Sequence, residues 1–302
     1  MDLQLFKMVP LMVIFRYLAV LAALALSASD TLEGHASPEL GWLKPTAGQV
    51  NSVVELEIHG SALVGTHAVW LGGEGCTYAP LQPDLIQPTT SDERTTITTT
   101  LYHLSTNPDG LEATIRDVLV SDKPNIQDRA IVRMTIKPDT RVGLHELRLV
   151  SPGGLSNRLS FAVVPEMVID KHDITHNTPG TAHPIPIPAA ISGRFSGPHR
   201  LHYYSFDVAA GQTIGFKVPV LQGADRLDGQ LMLYETTGSW LDPGQSRRLV
   251  FNEEKAYGIH PTNHSLTHHF TRTGRYIVEI GSIFGQAGMG YSYLLRVNPV
   301  KP

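Results

Sequence analysis

Short runs in which apolar and polar residues alternate account for most of the chain after residue 30. One such run, VVELEIHG at 53–60, places Val54, Leu56 and Ile58 on one face and polar side chains on the other. Comparable runs occupy 130–138, 144–152, 158–164, 202–208, 212–220, 229–235, 275–280 and 291–297. Alternation with a period of two is typical of half-buried β-strands, and Gly, Pro, Asn and Asp between the runs mark turns. The pattern predicts an all-β protein built from antiparallel sandwiches.

One segment departs from this alternation. Leu111, Ile115 and Val118 recur at helical spacing in LEATIRDVL, which predicts one short helix at 111–119. The polar, Thr- and Pro-rich stretch around it, at about 80–128, is interpreted as an insertion between strands.

A proline-rich break divides the alternating runs into two groups. Its prolines are Pro165, Pro179, Pro184, Pro186 and Pro188. Proline bars a regular ladder of backbone hydrogen bonds, so this break indicates a linker that passes into extended edge structure. The roughly 270 residues after the N-terminal segment suit two domains better than one. We therefore predict a leader at 1–29 and two consecutive β-sandwiches at 38–165 and 166–302.

The first residues have the layout of a secretory signal peptide. Lys7 and Arg16 supply positive charge, an apolar run covers 18–26, and small residues follow at 27–29. A membrane anchor is the alternative, but Pro10 and Arg16 interrupt the apolar stretch, and a charge in the middle of a bilayer is costly. We expect cleavage within 27–30 and export to the periplasm, the cell surface or the medium, with no transmembrane segment in the mature chain.

The net charge of the chain indicates which partners it can bind, and its cysteine content indicates the kind of organism it comes from. Removing 1–29 leaves 22 basic and 27 acidic residues, a net charge of −5 with neutral histidine, and no basic tract. Nucleic acid is therefore a poor partner. Cys76 is the only cysteine, so the exported chain forms no internal disulfide. Stabilisation by core burial alone favours a bacterial over a eukaryotic exported protein.

The alternating runs carry two family resemblances. PELGWLKPTAGQVNSVVELEIHGSAL and GLHELRLVSPGGLSNRLSF resemble the Ig-like IPT/TIG module. NTPGTAHPIPIPAAISGRFSGPHRLHYYSFDVAAGQTIGFKV, LDGQLMLYETTGSWL, TRTGRYIVEIGS and YSYLLRV follow in order and resemble the bacterial pre-peptidase C-terminal (PPC) domain. The long insertion resembles that of enlarged IPT/TIG versions in exported planctomycete-type proteins. These resemblances imply an Ig-like sandwich followed by a jelly-roll-type sandwich, both accessory domains.

Calcium-binding PPC domains carry acidic residues at the domain entrance and in a Gly-Asp-x-Asp turn. This chain departs from both patterns, with ITHNT at 174–178 and with His199, Arg200 and His202 in the turn. Calcium takes about six to eight oxygen ligands. The departures imply a metal-free second domain, with Asp170 and Asp173 left as a weak candidate pair for a surviving calcium site.

Three histidines in NHSLTHHF, at 263–270, raise the possibility of a transition-metal site. His268 and His269 must point to opposite faces of a strand, so only one of them can join His264. Zinc usually needs three or four converging ligands. A second group, His172, His176 and His183, lies in the proline-rich segment, which does not preorganise ligands. We therefore expect strand and surface histidines and no cofactor.

No catalytic motif accompanies these strands. GGLSN at 153–157 lacks the context of a nucleophile elbow, and HELRL at 145–149 lacks the second histidine of a zinc-protease helix. We predict a non-enzymatic exported binding, adhesion or accessory protein that recognises a glycan or a protein at the cell envelope. A small secreted hydrolase or metal-dependent enzyme with an unrecognised site is the alternative.

Aromatic residues are the candidate ligand contacts of such a protein. The three selected are Trp240, Tyr257 and Trp70. Trp240 lies in the turn-rich stretch TTGSWLDPGQS, where an exposed indole suits a glycan or a partner surface. For Trp70 and Tyr257, packing against neighbouring strands is the competing interpretation.

Overall fold

The computed structural model describes residues 36–72, 110–121, 127–172, 175–196, 201–219, 221, 229–236, 246–251, 264–282, 287–288 and 291–301. The predicted leader at 1–29, Trp240 and Tyr257 all lie outside the described residues. Within the described part of the chain, no helix is long and apolar enough to cross a membrane.

The first half of the described chain forms two sheets. Its strands are β1 (Glu39–Lys44), β2 (Ala47–Gln49), β3 (Ser52–Ser61), β4 (Ala68–Gly72), β5 (Leu111–Leu119), β6 (Asp128–Ile136), β7 (Gly143–Ser151), β8 (Gly154–Leu155) and β9 (Leu159–Val164). Sheet I has the order β1-β3-β6-β5, and sheet II has the order β2-β9-β7-β4, with β8 paired to β7. Leu56, Ile58 and Phe161 are fully buried in one apolar core, and Val54 is partly buried against it.

The second half forms two further sheets and one short 3₁₀ helix, Pro179–Thr181. Its strands are β10 (Val168–Lys171), β11 (His183–Pro184), β12 (Ala189–Arg194), β13 (Leu201–Val208), β14 (Thr213–Val218), β15 (Gly229–Thr236), β16 (Ser246–Phe251), β17 (His264–His269), β18 (Gly274–Ser282) and β19 (Ser292–Pro299). Sheet III has the order β10-β12-β19-β14-β17, and sheet IV has the order β11-β13-β18-β15-β16. The proline-rich break thus supplies two edge strands, β10 and β11, each paired in parallel with its neighbour.

The alternating pattern correctly identified the core of this second half. The predicted inward residues are Tyr204, Phe206, Ile214, Phe216, Leu231, Leu233, Tyr276, Val278, Ile280, Tyr293 and Leu295, and all of them belong to one buried cluster. The predicted all-β class is confirmed, because strands paired mainly antiparallel make up the described part of both halves.

The helix predicted at 111–119 is wrong. This segment is β5, which pairs with β6 from Leu111 opposite Ile136 to Leu119 opposite Arg129. A bulge between Ile115 and Asp117 adds one residue to β5. The next inward residue after Ile115 is therefore Val118, three positions along the chain. This is the spacing that apolar residues have on one face of a helix. The second part of the predicted insertion thus contains a strand of sheet I, while 73–109 lie outside the described residues.

The two pairs of sheets meet through the outer faces of sheets II and III. Ala162 and Val164 of β9 pack against Ala190 and Leu294. The backbone N–H of Thr46 donates a hydrogen bond of 2.8 Å to Ser192 Oγ, which connects the same faces. Residues from Ser37 onward form one compact unit. This contact covers the β2–β9 half of the outer face of sheet II, whereas side chains on the β7–β4 half are partly exposed.

Candidate functional site

Trp70 is the predicted contact residue that the structure describes. It lies on β4, the edge strand of sheet II, between Val69 and Leu71, which both face the core. Because successive side chains of a strand point to opposite faces, Trp70 points to the outer face of the sheet. Its side chain is partly exposed.

Gly72 determines how the Trp70 indole lies on the sheet. A Cβ atom at Gly72 would be 2.1 Å from Cη2 of Trp70 and 2.5 Å from its Cζ3. The six-membered ring of the indole therefore occupies the space that a side chain at this position would fill. Because glycine has no side chain, the Trp70 ring can lie along β4 at this position.

Charged side chains lie on and beside β7, the strand next to the indole. Arg148 is the cross-strand partner of Trp70, and Glu146 is the partner of Gly72. The Arg148 guanidinium carbon lies over the indole, 5.5 Å from the ring centre, within the range of a cation–π interaction. Arg158 Nη1 donates a hydrogen bond of 3.1 Å to Glu146 Oε1. We call this group of five residues, Trp70, Gly72, Glu146, Arg148 and Arg158, the Trp70 platform.

The other described tryptophan, Trp42, has a different environment. Its ring stacks on His59 with 3.9 Å between ring centres, and the Arg194 guanidinium carbon lies 3.8 Å from the ring centre. Two groups this close cannot share one face, so both faces of the indole are covered. Burial lowers the pKa of both His59 and Arg194. Trp42 belongs to sheet I and Arg194 to sheet III, so this contact joins the two halves and is structural.

A cluster of two histidines and two tyrosines lies in the core of the second half. His176, His202, Tyr204 and Tyr293 are each at most 1% exposed. Hydrogen bonds join Tyr204 Oη to His176 Nε2 (2.9 Å), the two tyrosine hydroxyls to each other (2.5 Å), and His202 Nδ1 to Tyr293 Oη (2.6 Å). Buried polar groups need such partners. The cluster is closed to solvent, and its hydrogen bonds stabilise the core. The sequence did not predict this cluster.

The histidines of β17 lie as the alternation predicts. The strand begins at His264, which is buried, and Leu266 and Phe270 share its inward face. His268 packs edge-on against Phe270, with 4.8 Å between ring centres. His269 lies on the opposite face and hydrogen-bonds to Thr213 Oγ1 at 3.0 Å. Among the residues that the structure describes, no three His, Cys, Asp or Glu side chains form a group that could hold a metal ion.

We expect the melting temperature of the chain from residue 30 onward to be the same in millimolar calcium and in excess chelator. A bound ion would stabilise the fold by an amount that rises with the logarithm of its concentration divided by its Kd. Asp170 is hydrogen-bonded instead to His172 Nδ1 at 2.5 Å, and Asp173 lies outside the described residues. His202, which the resemblance assigns to the calcium-type turn, lies in β13 and is buried in the core. Differential scanning fluorimetry provides the measurement. A calcium-dependent rise of several degrees that Asp170→Asn abolishes would contradict this expectation.

Comparisons with known proteins give structural similarity at low sequence identity. No protein-family model matches the chain, and no curated protein matches it. The pre-peptidase C-terminal domain of collagenase from Bacillus anthracis is similar to 39% of this chain over 94% of its own length, at 18% identity and a TM-score of 0.27. PliG, a periplasmic inhibitor of g-type lysozyme from Aeromonas hydrophila, matches 44% of this chain over 100% of its length, at 15% identity and a TM-score of 0.29. A carbohydrate-binding module of the β-sandwich superfamily matches 88% of this chain over 99% of its length, at 11% identity and a TM-score of 0.25.

Proposed function

We propose that this chain is an exported, non-catalytic binding protein that recognises a glycan at the cell envelope through the Trp70 platform. The observation that carries the proposal is the outward-facing Trp70 indole, placed over Gly72 and flanked by Arg148. It lies on the half of the outer face of sheet II that the described residues of the second half leave uncovered.

The chemistry of the platform suits a sugar ring. An indole offers a flat apolar surface with a polar edge, which matches the apolar face of a pyranose whose hydroxyl groups point outward. Guanidinium groups donate hydrogen bonds to those hydroxyls, and the Glu146 carboxylate accepts them. Ligand sites commonly combine such an apolar surface with a few fixed polar groups that set the orientation.

The β-sheet holds the platform in place. Trp70, Glu146 and Arg148 project from paired strands, and the core residues between them along each strand fix their direction. Sites built on strands hold their geometry better than sites on loops. A preformed surface loses less conformational entropy when a ligand binds, which favours affinity.

The proposal includes the domain organisation and the remaining candidate contacts. The first sandwich, 38–165, is an IPT/TIG-like module that carries the platform. The second, 166–302, is a PPC-like module packed against sheet II. Trp240 and Tyr257 are further candidate contacts, and a signal peptide at 1–29 directs export.

We expect Trp70→Ala to weaken glycan binding by about 30-fold, because a tryptophan at the centre of a binding surface contributes about 2 kcal/mol. Affinity electrophoresis against a panel of polysaccharides, followed by calorimetry on the best ligand, measures the effect. Gly72→Ala should also weaken binding, since it displaces the indole without removing it.

Leu155→Ala is the matched control for this experiment. Leu155 is 43% exposed and lies on β8, next to β7 in the same sheet. We expect this variant to bind like the wild type. Equal glycan binding by Trp70→Ala and the wild type, or no binding of any glycan by the wild type, would refute the proposed function.

A further inference from the structure

The Trp70 platform carries more positive than negative charge. It contains two guanidinium groups and one carboxylate, in a mature chain whose net charge is −5. Glu146 is committed to Arg158 through the 3.1 Å hydrogen bond. Its other oxygen lies 4.0 Å from Arg148 Nη2, which is too long for a hydrogen bond. Glu146 thus shares its one negative charge between a hydrogen bond to Arg158 and a longer ion pair with Arg148, which leaves one excess positive charge on the platform.

The hydrogen-bond donors of Arg148 have few acceptors in the described part of the chain. A guanidinium has five N–H donors in a planar fork. Arg148 Nη1 reaches the Ser156 carbonyl only at 3.5 Å, and Arg148 Nε is buried without an acceptor among the described residues. The side chain is 29% exposed, so part of the guanidinium remains accessible. A half-buried cation with weak partners is stabilised by an incoming anion.

From this arrangement we infer that the platform selects glycans whose sugars carry a carboxylate, that is, uronic acids. The inference rests on the proposed function and specifies its ligand class. A carboxylate is planar and accepts two parallel hydrogen bonds from a guanidinium, which a hydroxyl group cannot do.

The distances on the platform fit such a ligand. The Arg148 guanidinium carbon lies 5.5 Å from the centre of the Trp70 ring. A charge-assisted hydrogen bond spans about 2.7–2.9 Å. The carboxylate of a uronic acid is attached at the rim of the pyranose ring, so a sugar placed against the exposed part of the indole brings this group within reach of Arg148. The stacking surface and the cation then contact the same sugar residue.

Two polymers that differ in one group test the inference without altering the protein. Polygalacturonate carries a carboxylate on each sugar, and its carboxyl-reduced form carries a hydroxymethyl group instead. We expect wild-type protein to bind polygalacturonate at least tenfold more tightly than the reduced polymer in calorimetry at constant ionic strength. The preference should weaken at high salt, since charge pairs at an exposed site are screened.

Variants of Arg148 assign the preference to this residue. We expect Arg148→Gln to bind both polymers with similar, weak affinity. Arg148→Lys should keep part of the preference, because lysine retains the positive charge but cannot form the two parallel hydrogen bonds of a guanidinium. Arg116→Gln is the matched control, because Arg116 lies on β5 of sheet I, outside the platform, with a side chain that is 52% exposed and paired with Glu55 at 3.9 Å; we expect it to keep the full preference. Melting curves confirm that each variant is folded.

The outcomes separate this inference from the proposed function. Equal binding of both polymers by the wild type, with both lost in Trp70→Ala, keeps the glycan-binding function and refutes the selection for carboxylates. A preference for a neutral or a sulfated polymer over polygalacturonate also refutes the inference. If no polysaccharide is bound at all, the proposed function and the inference both fail.

Discussion

Gly193→Ala is expected to destabilise the second sandwich by about 3 kcal/mol or more. A Cβ atom at Gly193, in the middle of β12, would lie 2.3 Å from both Cζ and Oη of Tyr293. The Tyr293 ring is fully buried, and its hydroxyl is held by Tyr204 and His202. The ring cannot yield without breaking these bonds. Overpacking typically costs about 1–3 kcal/mol, and each buried hydrogen bond left unmade costs about as much.

Gly215→Ala is the matched control for this substitution. Gly215 also lies within a strand of sheet III, but the nearest atom to its added Cβ is Val300 Cγ2 at 3.0 Å. Val300 is 42% exposed and can move, so we expect a loss of about 1 kcal/mol or less. Urea unfolding of both variants measures the difference. Equal losses would show that the tyrosine–histidine cluster does not hold Tyr293 in place.

Much of the fold could be predicted because core residues recur at every second position along the strands. Leu56 and Ile58 in β3 and Tyr204 and Phe206 in β13 are buried as their alternation requires. The prediction failed at β5 because the bulge shifts the register by one residue. Whether a strand carries a bulge depends on its partner strand, which the local sequence does not reveal.

The environment of the candidate site could be predicted only in part. The sequence predicts Trp70 as a candidate ligand contact. It does not predict that Arg148 and Glu146 lie beside it, because the pairing of β4 with β7 brings them there. The two strands are far apart in the chain, since β4 ends at Gly72 and β7 begins at Gly143, and nothing in the sequence of either strand indicates that they pair. The resemblance to PPC domains predicts a turn at His202, whereas this residue lies in β13. The hydrogen bond of His202 to Tyr293, a residue distant in the chain, was not predictable from that resemblance.

Trp42→Ala is expected to lower the free energy of unfolding by about 3–5 kcal/mol, the range for truncating a buried aromatic residue. The Trp42 side chain is 9% exposed and is covered by His59 on one face and Arg194 on the other. Its Nε1–H also donates a hydrogen bond of 3.0 Å to Gln127 Oε1. Removing the indole therefore creates a cavity and takes away the surface on which the Arg194 cation rests.

Two further variants separate these contributions and distinguish Trp42 from Trp70. Trp42→Phe keeps an aromatic ring between His59 and Arg194 but loses the Nε1–H donor, so we expect a loss of about 1–2 kcal/mol. Trp70→Ala removes an outward, partly exposed indole and should cost about 1 kcal/mol while weakening glycan binding. Chemical denaturation and glycan affinity are measured on the same three proteins. If Trp42→Ala were as stable as Trp70→Ala, the stack of His59, Trp42 and Arg194 would not be what joins the two halves of the chain. If Trp42→Ala kept its fold and lost glycan binding, the ligand site would lie at this junction, and the Trp70 platform would have to be abandoned.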